Sequence, residues 1–128
     1  TGHISPEESL IYAGKDGNGG SNMILTHPEF PRTRIGRDDQ AELAKAGVVI
    51  EKNWFNLAQK SVMPEEMAET IRTVGSGHVY LATDRGQKGA PTPVSELKRF
   101  IAVMLTCGIA EAQIRDMVQK VPEEVVCR

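Results

Sequence analysis

Short apolar, β-branched runs alternate along this chain with stretches patterned for helices, and that alternation limits the fold more than any other feature. Residues 23–26, 48–51 and 78–83 read as strands. Helix signals stand between and after them. Ser5 before Pro6-Glu7-Glu8 offers an N-cap, a proline at the first helical position and carboxylates in the first turn. Asp38 or Asp39 opens a helix that Gly47 closes, and Met63-Pro64-Glu65-Glu66 opens another that Gly75 and Gly77 close. Two more are expected over residues 94–106 and 111–121. Strands alternating with helices imply a parallel sheet with right-handed crossovers.

The resulting order is (β)αβαβαβαα, with a first strand finishing as the chain opens at Thr1-Gly2-His3. The fold class expected is α/β, its parallel βα repeats forming the C-terminal half of a (β/α)8 barrel. Residues 1–128 would then be a single partial domain. An open doubly wound sheet shares the same pattern of elements. The glycine-rich residues 14–22 are poor helix material, so the first helix is expected to weaken after Ala13 and to end by Gly17. They lack the G-x-x-x-x-G-K-[ST] spacing of a phosphate loop and precede a strand instead of following one. Residues 52–56, aromatic and polar together, read as a loop after the second of the three strands.

Composition narrows the function classes. A net charge of −2 and the lack of any Lys/Arg-rich block give no pull toward nucleic acid or anionic membrane. The apolar runs fall far short of the roughly 20 residues that a membrane helix needs. Cys107 and Cys127 are isolated, which suits reduced thiols in a cytoplasmic protein better than a zinc site or a disulfide framework.

The residues that can carry chemistry stand where strands end. His3, His27 and Asp84 each follow a run that reads as a strand, at intervals of 24 and 57 residues. In a parallel sheet the carboxyl ends of the strands face the crevice where ligands bind. Two imidazoles and a carboxylate gathered there suit a divalent metal, zinc first and manganese second. A metal-bound water has a pKa near 7, and an aspartate beside it can orient that water and move its proton. Taken singly, each of the three also fits a cap or a turn. Arg32, Arg34, Trp54 and Arg85, with Glu29, Lys52 and Gln87, fall in the loops around the same rim. The arginines can hold a substrate carboxylate or phosphate in bidentate fashion. Trp54 with Phe55 can wall a pocket. His78 lies at the opposite end of its strand and reads as structural.

Thr-Gly-His-Ile-Ser-Pro-Glu-Glu, Thr-His-Pro-Glu-Phe and Ala-Thr-Asp-Arg-Gly-Gln occur in that order. Together they resemble the C-terminal half of the amidohydrolase superfamily, closest to an uncharacterised group of predicted amidohydrolases. The resemblance spans nearly all 128 residues. It implies a metal-dependent hydrolase acting on an amide, ester or lactone bond. His3 and His27 would be metal ligands after barrel strands five and six, and Asp84 after strand eight the ligand or general acid/base. The superfamily's H-x-H pair on strand one and its strand-four ligand have no match here. Activity would therefore require an N-terminal half-barrel as partner. The alternatives are a non-catalytic half-barrel that self-associates or pairs with another chain, and a metal-dependent decarboxylase or lyase on the same ligands.

Overall fold

The computed structural model describes residues 5, 7–9, 11, 23–32 and 34–127. His3 and the expected break of the first helix across residues 14–22 lie outside them. The helix start at Ser5 is present as a reciprocal capping box. The Glu8 amide donates to Ser5 Oγ at 3.2 Å, and the Ser5 amide donates to a Glu8 carboxylate oxygen at 2.9 Å.

Three strands, β1 (Ile24–Leu25), β2 (Val49–Asn53) and β3 (Val79–Ala82), form a parallel sheet in the order β1-β2-β3. Ile24 and Leu25 lie opposite Val49 and Ile50, and Ile50 to Asn53 lie opposite Val79 to Ala82. Helix α1 (Arg37–Lys45) joins the first two strands. The short α2 (Trp54–Ala58) and the longer α3 (Pro64–Val74) join β2 to β3. Helix α4 (Pro93–Thr106) and α5 (Glu111–Arg115) follow, then a π-turn segment over Asp116–Lys120 and α6 (Val121–Val126). Pro64 and Pro93 occupy first-turn positions, and Gly47 and Gly75 leave their helices with positive φ of 92° and 91°.

The expected loop over residues 52–56 is not a loop. Lys52 and Asn53 extend β2, and the Asn53 side chain accepts the Asn56 amide at 3.0 Å, capping α2 directly at the strand's end. The expected single helix over residues 111–121 is interrupted by the π segment. Pro122 stands two residues beyond its end, and a proline has no amide to continue the helical ladder.

Alternation along the strands separates two faces. Leu25, Ile50, Val79 and Leu81 pack into one core with Leu43 of α1, Met67 and Ile71 of α3, and Phe100 and Met104 of α4. Lys52 shares that face at the end of β2. The opposite face carries Val49, Glu51 and Asn53 on β2 beside Tyr80 and Ala82 on β3. None of these five belongs to the apolar core cluster. Among the described residues no helix is long and apolar enough to cross a membrane. Cys107 and Cys127 are both free thiols.

Candidate functional site

His27 and Asp84 stand just beyond the carboxyl ends of β1 and β3, the outer strands of the sheet. His27 Nε2 lies 3.0 Å from Asp84 Oδ2, so residues 57 apart in sequence meet at one rim. Both have left-handed backbones, with φ of 54° and 50°; Lys60 is the only other non-glycine residue of this kind among those described. For a side chain with a Cβ this region is sparsely populated and costs free energy, so the surrounding loops must hold it. They do so locally: the Phe30 amide donates to the His27 carbonyl at 2.9 Å, and Gln87 Nε2 donates to the Asp84 carbonyl at 3.3 Å.

A second carboxylate approaches the imidazole from its other edge. Glu51, on β2 between the two outer strands, places Oε1 3.8 Å from His27 Nδ1. Its own position is fixed by two donors, Tyr80 O–H at 2.8 Å and Asn53 Nδ2 at 3.1 Å. Burial and the neighbouring Glu51 carboxylate hold the Tyr80 phenol well above the ordinary phenol range, so it stays a proton donor. Because the folded state keeps this proton longer than the unfolded chain, Tyr80's contribution is intact below pH about 10 and is lost as pH rises further. Urea midpoints of the wild type should therefore fall relative to Tyr80→Phe between pH 9 and pH 11. Parallel curves would show that the phenol titrates normally.

Each rim loop is also tied down by an ion pair, the first to strand β2 and the second to helix α4. Two residues past His27, the Glu29 carboxylate pairs with Lys52, which is fully buried and also donates to Gln40 Oε1 at 2.5 Å. Burial pulls the Lys52 ammonium below the ordinary lysine range, and the Glu29 charge opposes that pull. One residue past Asp84, Arg85 lies over the Phe55 ring at 5.6 Å with its Nε 3.3 Å from Glu96 Oε2. That approach is an ion pair without hydrogen-bond alignment. Glu96, 2% exposed, also accepts Trp54 Nε1 and is 3.1 Å from Arg99.

The residues expected at the rim thus divide. His27 and Asp84 come together, and His3 lies outside the described residues. Trp54 and Arg85 turn to Glu96, with the Trp54 ring 5.9 Å from that of Phe100. Arg34 donates to the Ser61 carbonyl at 3.0 Å and pairs with Glu66. It lines a cavity of about 620 Å³ between α1 and α3 that neither His27 nor Asp84 reaches. Arg32 is exposed. Glu51, Asn53 and Tyr80 were not foreseen. The visible signal was a charged residue inside the β-branched run Val48-Val49-Ile50-Glu51, where burial of both sheet faces favours apolar side chains.

An imidazole nitrogen and a carboxylate oxygen are the donor types zinc and manganese take. Two such donors on one tetrahedral zinc stand about 3.4 Å apart, from metal–ligand distances of about 2.1 Å. The observed 3.0 Å lies a few tenths of an ångström inside that spacing. In kind the pair fits a divalent ion, but its spacing is that of a direct hydrogen bond. In number it does not suffice, for among the described residues no group of three or more His, Cys, Asp or Glu side chains can hold one. Residues 1–51 match a family described as "Family of unknown function (DUF6282)". No curated protein and no solved structure matches the chain.

Proposed function

We propose that the chain carries part of the site of a metal-dependent hydrolase, amidohydrolase-like, acting on an amide, ester or lactone. The meeting of His27 with Asp84 across the rim of a parallel sheet carries this reading. The sequential strand order and the mixed second face of the sheet, with Glu51, Asn53 and Tyr80 beside Val49 and Ala82, support its extension to half of a (β/α)8 barrel, whose interior face they would line. In this reading His27 Nε2 and an Asp84 oxygen are two ligands, His3 is a third, and the remainder comes from an N-terminal half-barrel. The setting is the cytoplasm, where Cys107 and Cys127 stay reduced. A divalent ion, when bound, supplies Lewis acidity and lowers the pKa of water at the site. Asp84 takes the proton from the attacking water and returns it to the leaving nitrogen or oxygen. The Glu29–Lys52 pair holds the loop that presents His27, and Arg85–Glu96 holds the loop that presents Asp84.

Zinc titration of the full chain against a chromophoric chelator tests the reading. Binding should be weak, because His3, His27 and Asp84 are only part of the ligand set, with about one equivalent at saturation, and affinity should fall at least tenfold in both His27→Asn and Asp84→Asn. Zinc bound equally by both variants, or by none of the three proteins, overturns it.

A further inference from the structure

We propose that the groove between α4 and α5 is an interface on which a second copy of this chain docks about a two-fold axis. Ile101 and Leu105 line it from α4, and Ile114 and Val118 line it from α5 and the π segment. Residues at this spacing lie one above the other on a helix, so each pair forms a ridge along one wall. The space between the ridges is about 320 Å³. Leu105 is 39% exposed, one of the large apolar side chains that the described residues leave in water. Apolar surface rimmed by charge is the anatomy of a protein interface. The π segment that supplies Val118 adds to this, since such turns are rare and recur at functional sites.

The charges on the rim select the occupant. Glu111 and Arg115 both line the groove, one turn apart on α5, and both are exposed. Among the described residues neither takes part in an ion pair or a side-chain hydrogen bond. One acid and one base together give no net pull toward a nucleic acid or an anionic membrane. They do match their own reversed copy. A two-fold axis sets residue i against residue j and residue j against residue i. With α5 antiparallel to its counterpart and the axis midway between these two positions, Glu111 meets the partner's Arg115, and Arg115 meets the partner's Glu111. Two ion pairs then close over a shared apolar floor, and Leu105 is covered in both copies. Helices alone build this groove, so the interface depends neither on a metal at the rim nor on the open edges of a half-barrel.

Sedimentation velocity of the full chain over a concentration series tests the proposal, with far-UV circular dichroism confirming that each variant is folded. The wild type should dimerise. Glu111→Arg sets cation against cation at both contacts, and Arg115→Glu sets carboxylate against carboxylate. Each variant alone should dimerise about tenfold more weakly or worse, since like charges face each other across the axis. Mixed in equal amounts, the two should form a heterodimer, because every contact is again opposite in sign. Leu105→Asp, which puts a charge into the apolar floor, should stay monomeric. A wild type that is monomeric at every concentration overturns the proposal. So does a dimer that none of the three variants weakens, or a mixture of the two charge variants that does not pair.

Discussion

Replacing Lys52 by methionine should destabilise the protein by about 3–5 kcal/mol, the usual cost of removing one partner from a buried ion pair. The Lys52 ammonium is fully buried against Glu29 and Gln40. Methionine fills much of the same volume but leaves the Glu29 carboxylate, 4% exposed, with the Asn56 amide at 3.5 Å as its remaining hydrogen-bond donor among the described residues. The loss comes from the stranded carboxylate and not from missing attraction. The double variant Glu29→Leu with Lys52→Met should therefore recover most of it, because apolar replacement of both members of such a pair is often near neutral. Urea unfolding of the two single variants and the double gives the cycle. A loss under about 1 kcal/mol in Lys52→Met would mean that Glu29 reaches water through the cavity it lines between α1 and α3.

Glu96→Ala should cost about 3 kcal/mol, seen as a fall of roughly 10 °C in Tm for a domain of this size. One nearly buried carboxylate serves Trp54 Nε1, Arg85 and Arg99. Arg99 is exposed and returns to water, but the indole N–H loses its acceptor and the mostly buried Arg85 loses its counter-charge. Trp54 is the single tryptophan, so its emission should shift to the red in step with the lost stability. Glu96→Gln keeps a neutral acceptor and should lose about half as much. Since Arg85 follows Asp84 directly, the same variant should weaken zinc binding without touching a ligand. Unchanged emission and Tm would show that Phe55 and Phe100 alone hold the loop.

Local chemistry made the helix starts readable. Pro64 and Pro93 open α3 and α4, and Gly47 and Gly75 leave α1 and α3 with the backbone that glycine permits. The residues that escaped reading are those whose environment comes from distant parts of the chain. Lys52 and Asn53 look like loop residues by composition. Their burial depends on Glu29, Gln40 and Asn56, and the first two lie 23 and 12 residues away from Lys52. At the site, His27 and Asp84 were readable because each ends a strand on a residue type that binds ions. Glu51 and Tyr80 were not, because only the register of β2 against β3 brings them side by side. Arg34 shows the limit of reading a loop by residue type. A cation in a rim loop suggested a substrate contact, yet its guanidinium is taken up by Ser61 and Glu66 on the helix side.

The bend of the main chain at His27 and Asp84 also bears on how the site can be dissected. Alanine at either place would remove the functional group and also burden the loop with a conformation that alanine resists, confounding two effects. Asparagine visits that conformation more readily, and glycine adopts it freely. Asparagine and glycine exchanges at these two corners should leave the loops as they are and report on the lost chemistry alone.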